Sequence, residues 1–104
     1  NQDSVKAAKL FKEAAEQGHA ESQFSLGACY SLGVFGEKDQ VAAAAWYRKA
    51  ADQGYAKAQF CLAGLLLSGD GVTQNKEEAE TLLAKAAEQG LVEAQEALKA
   101  LQAK

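Results

Sequence analysis

The chain has 104 residues, a length that fits one small domain rather than a catalytic domain joined to a binding domain. Its 11 Lys and Arg against 14 Asp and Glu give a net charge of −3, which argues against the basic surface that nucleic-acid binding requires. Twenty-three residues are alanine and none is proline, so the composition predicts an all-α fold whose turns are made by glycine.

A five-residue pattern of two alanines, an acid, glutamine and glycine occurs three times, at a constant spacing of 36 residues. The copies occupy residues 14–18, 50–54 and 86–90. Self-similarity at this period predicts a solenoid, in which each unit buries its apolar face against its neighbours. We therefore divide the chain into a half-repeat, two full repeats and a C-terminal capping helix, at residues 1–18, 19–54, 55–90 and 91–104.

Apolar spacing, caps and glycines predict six helices that alternate between a type B and a type A. In chain order they cover residues 4–17, 20–32, 40–53, 56–68, 76–89 and 92–103. Asp3, Asp39 and Asn75 are the expected N-caps of the three B helices. The connections are short, so we expect consecutive helices to be antiparallel neighbours.

The repeat positions resemble the Sel1-like repeat, a relative of the tetratricopeptide repeat with a longer loop after its first helix. The resemblance rests in the first unit on Leu26-Gly27, Tyr30, Gly33, Asp39, Ala43, Trp46-Tyr47, residues 49–51 and Gln53-Gly54. In the second unit it rests on Leu62, residues 69–72, Ala79, residues 85–87 and Gln89-Gly90. It implies an α-α superhelix of antiparallel helix pairs, with structural positions at Leu26, Gly27, Tyr30, Trp46, Tyr47, Ala50, Gly54, Leu62, Leu82, Ala86 and Gly90.

Packing of the two helix types depends on small residues that face each other. Gly27 and Ala63 let a B helix approach the A backbone closely, and paired alanines on the B helix do the same. We expect Trp46 and Tyr47 to form an apolar stripe that covers the seam between repeats. Lys99 and Gln102 stand at the glycine and tyrosine positions of the last A helix, as suits a cap.

The resemblance also implies that the A helices line a concave face, where solenoids of this kind usually hold their partners. The residues carried over to that face are Glu21, Phe24, Ala28, Ser31, Leu32, Lys57, Phe60, Gly64, Leu67, Ser68, Glu93 and Glu96. Phe24 and Phe60 recur at one repeat position and could form an aromatic pair in the groove. The alternative is that both rings pack as core between adjacent A helices.

Residue types that carry out chemistry are few, with one His, two Cys and no Met. Cys29 and Cys61 lie on consecutive A helices as buried thiols or, less commonly, a bridge. His19 aligns with the turn residues of later units. Residues 69–71 lack the features of a phosphate or calcium loop and form a turn, and Glu77, Glu78 and Glu80 form a solvated first helical turn. We therefore predict no metal and no cofactor.

Three functions follow, of which a non-enzymatic interaction module that binds a protein or peptide is favoured. Some cysteine-rich bacterial members of the family are associated with penicillin binding and β-lactam hydrolysis, but this chain has no Ser-x-x-Lys arrangement. Weak self-association through the repeat ends is the third. We expect a soluble chain without a membrane span or signal segment. The cysteines suit a reducing interior, whereas many bacterial relatives are exported, so both compartments stay open.

Overall fold

The computed structural model describes residues 2–103, and these form six helices and no strand. The helices are α1 (Gln2–Glu16), α2 (Ala20–Leu32), α3 (Gln40–Asp52), α4 (Ala56–Ser68), α5 (Lys76–Glu88) and α6 (Val92–Gln102). Their number and order confirm the prediction, with α1, α3 and α5 as B helices and α2, α4 and α6 as A helices. Asn1 and Lys104, the ends of the predicted half-repeat and capping helix, lie outside the described residues.

The helices pack mainly against their neighbours along the chain, most closely α2 against α3 and α4 against α5. The result is an elongated body with extents of 44 × 25 × 19 Å. Such an arrangement is expected of a solenoid, because each unit finds its core only in the adjacent units.

Local chemistry sets the ends of these helices. The Asp39 carboxylate accepts a hydrogen bond from the Ala42 amide at 3.0 Å, and the Asn75 side chain accepts one from the Glu78 amide at 3.0 Å. Both are N-cap bonds that satisfy an otherwise unpaired helical N–H. The A helices end at Gly33 and Gly69, whose φ angles of 78° and 72° favour glycine.

The expected N-cap at Asp3 is wrong, because Asp3 lies inside the first turn of α1. At the equivalent positions the cap is held by the preceding A helix, since the Asp39 amide donates to the Tyr30 carbonyl and the Asn75 amide to the Leu66 carbonyl. No A helix precedes α1 among the described residues. Without that anchor the segment around Asp3 continues as helix.

The core consists of a few leucines set among alanines. Leu26, Leu62, Leu66 and Leu83 are fully buried, and the buried alanines of α3, α4 and α5 surround them. Helices α2 and α3 approach closely at Gly27, where an added Cβ would lie 2.7 Å from Cδ1 of Tyr47 and 3.2 Å from the Ala43 carbonyl oxygen. Only glycine fits between α2 and the Tyr47 ring at this separation.

The eleven structural repeat positions differ in burial. Seven are buried, namely Leu26, Gly27, Tyr47, Ala50, Leu62, Leu82 and Ala86. Gly54 and Gly90 lie in turns, and Tyr30 packs its ring against Phe35 at 5.0 Å between centroids. Trp46 stays half-buried with the Lys49 ammonium 4.5 Å from its ring centroid, so Tyr47 provides most of the cover that we expected from both aromatics.

Glutamine side chains connect successive units by hydrogen bonds on the side of the turns from B to A. Gln23 Nε2 donates to the Ala15 carbonyl at 3.2 Å, and Gln23 Oε1 accepts from Gln53 Nε2 at 2.9 Å. Gln53 Nε2 also donates to the Gly18 carbonyl at 2.9 Å. The Ala15 carbonyl lies in the last turn of α1, where it also accepts from the Gly18 amide at 3.0 Å, and the Gly18 carbonyl lies in the turn that follows. One unit is thereby joined to the next through buried amides.

The same pattern recurs one unit later. Gln59 Nε2 donates to the Ala51 carbonyl at 3.4 Å, and Gln59 Oε1 accepts from Gln89 Nε2 at 3.1 Å. Gln89 Nε2 also donates to the Gly54 carbonyl at 2.9 Å. In α6, Gln95 Nε2 donates to the Ala87 carbonyl at 3.1 Å. We call Gln23, Gln53, Gln59, Gln89 and Gln95 the glutamine chain.

We predict that Gln59→Leu lowers the free energy of unfolding by about 1–3 kcal/mol, because it removes the two hydrogen bonds that the buried Gln59 amide makes to the Ala51 carbonyl and to Gln89. Gln95→Leu is the matched control, since Gln95 is exposed and water can replace its bond. It should cost less than about 1 kcal/mol. Urea unfolding at constant m-value measures the stability of both variants, and equal losses of unfolding free energy would contradict the proposed role of the glutamine chain.

Candidate functional site

The twelve residues predicted to bind a partner all lie on α2, α4 and α6, and none is buried. We call the surface that they form the A face. Seven of them are exposed, namely Glu21, Leu32, Lys57, Gly64, Ser68, Glu93 and Glu96. The other five, Phe24, Ala28, Ser31, Phe60 and Leu67, are half-buried. Glu21, Lys57 and Glu93 lie in the first turns of their helices, Glu96 lies in the second turn of α6, and the remainder of the A face is small or apolar.

The two phenylalanines of the A face are anchored in the fold. The Phe24 ring centroid lies 5.8 Å from that of Tyr47 and 5.4 Å from that of Tyr55, and Phe60 packs against the core. Among the described residues no ring contact joins Phe24 to Phe60, so the expected aromatic pair does not form. Tyr47 and Tyr55 come from α3 and the start of α4 and take up the ring contacts of Phe24.

Tyr47 reaches from α3 to the side chains of both neighbouring A helices. Burial, together with the adjacent Cys61 thiol, raises the pKa of Tyr47 to about 12, and the hydrogen bond with Ser31 acts in the opposite direction. Burial likewise raises the pKa of Cys61 and of Cys29. Both cysteines are free and half-buried. A protonated thiol is a poor nucleophile, so the Tyr47 cluster favours packing over catalysis.

Gly64 is the most open point of the A face. It lies in the middle of α4, and a Cβ added there would meet no atom within 4 Å. Glycine inside a helix destabilises it by roughly 0.5–1 kcal/mol relative to alanine, and no neighbouring atom requires a glycine at this position. Ala28 occupies the equivalent position of α2. The centre of the A face therefore has no protruding side chain at Gly64 and is accessible.

Three other residues discussed in the sequence analysis form hydrogen bonds or an ion pair within the fold. His19 is the N-cap residue of α2, with Nδ1 2.8 Å from Ser22 Oγ. Asp70, in the turn after α4, accepts a hydrogen bond from Gln40 Nε2 at 3.2 Å. Glu78 pairs with Arg48 at 2.7 Å across α3 and α5, so the expectation of a purely solvated first turn is wrong for this residue.

Sequence reasoning missed a shallow depression between the starts of α4 and α6. It has a volume of about 360 Å³ and is lined by residues 54–57 and 89–91. Lys57 belongs both to this depression and to the A face. The recurrence of the glutamine before each closing glycine was the available signal, because Gln89 joins the two turns of this depression through its bond to the Gly54 carbonyl.

Among residues 2–103, no three His, Cys, Asp or Glu side chains are grouped closely enough to hold a metal ion. Within the same residues, every helix is too short or too polar to cross a bilayer.

The family model of the Sel1 repeat matches residues 1–19, 20–55 and 56–91. A protective antigen of uropathogenic Escherichia coli, c5321, which displays an SLR fold, superposes with a TM-score of 0.90 at 41% identity, over 97% of this chain and 22% of that one. This chain therefore spans about a fifth of the antigen's length. No curated protein matches the sequence.

Two further solved structures are similar over most of the chain. A Sel1 repeat protein from Oxalobacter formigenes has a TM-score of 0.87 and 33% identity, over 95% of this chain and 73% of its own. Helicobacter pylori cysteine rich protein B has a TM-score of 0.81 and 26% identity, over 90% and 69%. The helical repeat architecture is thus shared by chains of different lengths.

We predict that stability falls between pH 10 and about pH 12 because of Tyr47. Below pH 10 the Tyr47 hydroxyl is protonated in both the folded and the unfolded chain. Above pH 10 the unfolded chain loses this proton first, so deprotonation favours the unfolded state. Chemical denaturation at several pH values should show a shallower decline for Tyr47→Phe. The parent chain should show a component of tyrosinate absorbance near pH 12 that the Tyr47→Phe chain lacks, and an identical titration of both chains would contradict this.

We predict opposite effects for alanine at two glycines of the A helices. Gly64→Ala should raise the free energy of unfolding by about 0.5–1 kcal/mol, because it restores helix propensity where space is open. Gly27→Ala should lower it by about 1–3 kcal/mol, because its methyl overlaps the Tyr47 ring. Urea unfolding of both variants measures the difference. A higher stability of Gly27→Ala would contradict this prediction, because it would show that the Tyr47 ring moves aside without a loss of unfolding free energy.

Proposed function

Because the chain belongs to the Sel1 repeat family, whose members generally mediate protein–protein interaction, we propose that it binds a peptide or protein segment along the A face. The observation that carries the proposal is Gly64, which weakens α4 and faces open space. A side chain here would fill the centre of the A face, whereas glycine leaves room for a ligand to reach the helix backbone. The fold gains no stability from the absence of a side chain at Gly64.

The chemistry of the A face favours an amphipathic ligand. Phe24 and Phe60 are half-buried, so each ring is held by the fold and still presents part of its surface. Rings positioned in this way lose little conformational entropy on binding, which is why aromatic anchors contribute strongly at interfaces. Glu21, Lys57 and the glutamates of α6 would contact polar groups of the ligand at one edge.

A non-enzymatic role agrees with the family, which is generally a scaffold. Burial keeps the Cys29 and Cys61 thiols protonated by raising their pKa values, and this weakens both as nucleophiles. The net charge of −3 favours a protein ligand over nucleic acid. Binding of a protein segment is therefore the function that the described residues support best.

Gly64→Arg tests the proposal, with Thr81→Arg as the control of equal charge on an exposed position of α5. A peptide is first selected on the immobilised chain from a random displayed library, and its affinity is then measured by fluorescence anisotropy. Gly64→Arg should weaken binding at least about tenfold, because the arginine fills the A face without a clash inside the fold. Thr81→Arg should change it by less than about twofold.

The melting temperature separates this outcome from misfolding. Gly64→Arg should melt no lower than the parent chain, since arginine is a better helix former than glycine. Equal affinity of the parent and Gly64→Arg chains would contradict the proposal. So would a selected peptide that loses affinity only when α5 is altered.

A further inference from the structure

The depression between the starts of α4 and α6 carries a single charge. It is lined by residues 54–57 and 89–91, and Lys57 is the only charged side chain among them. Tyr55 and Leu91, both half-buried, supply apolar walls. A cation beside apolar walls attracts an anion more strongly than a cation on a flat surface does, because less water screens the pair. The depression therefore favours an acidic group.

Internal hydrogen bonds hold the walls of the depression in place. Gln89 Nε2 donates to the Gly54 carbonyl at 2.9 Å and to Gln59 Oε1 at 3.1 Å. The turn before α6 is thereby fixed against the turn before α4. A ligand group that enters here meets a surface that does not need to rearrange, and such preorganisation lowers the entropic cost of binding.

Two acidic residues flank Lys57 along one edge of the A face. Glu21, Lys57 and Glu93 are each the second residue of an A helix, and they are 36 residues apart in the sequence. All three are exposed, and within residues 2–103 none of them forms an ion pair or a side-chain hydrogen bond. Because the A helices are equivalent elements of successive units, these charges form a row of alternating sign. We call Glu21, Lys57 and Glu93 the charge row.

We propose that the segment bound by the A face carries one acidic side chain, which enters the depression beside Lys57, and a basic side chain on either side of it, which contacts Glu21 or Glu93. This inference rests on the proposed function, because the charge row lies at the edge of the A face. A uniformly acidic segment would meet repulsion at the two glutamates, and a uniformly basic one would meet it at Lys57. Alternating charge is the pattern that avoids both repulsions.

Selection from a random displayed peptide library tests the charge pattern. The parent chain and a Lys57→Glu chain are immobilised in parallel, and the enriched peptides are compared. The parent chain should enrich peptides with an acidic residue between two basic ones. Lys57→Glu should enrich peptides with basic residues alone, because the whole charge row is then negative. Lys85→Glu, the same change at an exposed position of α5, is the matched control and should enrich the pattern of the parent chain.

One peptide from the parent selection then measures the strength of the contact. In fluorescence anisotropy, Lys57→Glu should weaken its binding at least about fivefold, and Lys85→Glu should change it by less than about twofold. Replacing the acidic residue of the peptide by lysine should restore binding to the Lys57→Glu chain and weaken binding to the parent chain. An acidic residue is favourable in the first turn of a helix, so Lys57→Glu should melt no lower than the parent chain.

Two results would overturn the inference. One is enrichment by the parent chain of peptides that lack an acidic residue, and the other is equal affinity of Lys57→Glu and Lys85→Glu for the selected peptide. Gly64→Arg separates these results from a failure of the proposed function. If Gly64→Arg weakens binding and Lys57→Glu does not, the A face binds its ligand without this charge pattern. Unchanged binding to Gly64→Arg contradicts the proposed function, and with it this inference.

Discussion

The close approach of each B helix to the A helix before it is the constraint on which the rest of this structure depends. Gly27 lies so near Tyr47 that one added carbon would overlap the ring. Alanines buried along α3 and α5 keep the helix axes similarly close. Small residues bury little area each, so stability comes from packing density over many contacts rather than from a few large side chains. Alanine richness and aromatic scarcity are consequences of this geometry.

The glutamine chain limits the displacement of one packed unit relative to the next. Gln23 and Gln59 are buried amides that are bonded at both ends, to the unit before and to the closing glutamine of their own unit. A satisfied buried amide tolerates little displacement, because any shift leaves a polar group unpaired. Apolar contacts alone would permit sliding between units. The same bonds recur in the next unit, so consecutive units are joined in the same way.

Two surfaces differ from the rest of the molecule for different reasons. The A face is open because small residues, above all Gly64, leave space over the centre of α4. Leu10 and Phe11 of α1 are exposed among the described residues, although they have the apolar character of buried positions. Lys99 and Gln102 make the surface of α6 polar.

The sequence by itself determined the six helices, their order and nearly all their limits. Helix caps such as Asp39 and Asn75, left-handed glycines such as Gly33, and a 36-residue period act locally, so they can be read without knowledge of the neighbours. It also placed the candidate site residues on the A helices. What it could not give was any feature that depends on a second element.

Only the tertiary structure decided the remaining features. Asp3 matches the cap positions in sequence but lies inside the first turn of α1, with no A helix before it among residues 2–103, and Phe24 pairs with Tyr47 and Tyr55 instead of Phe60. Glu78 meets Arg48 across 30 residues of chain. The physical reason is the same in each case: the outcome depends on which atoms are adjacent in space, and repeat position fixes the type of a residue's surroundings but not whether those surroundings are present.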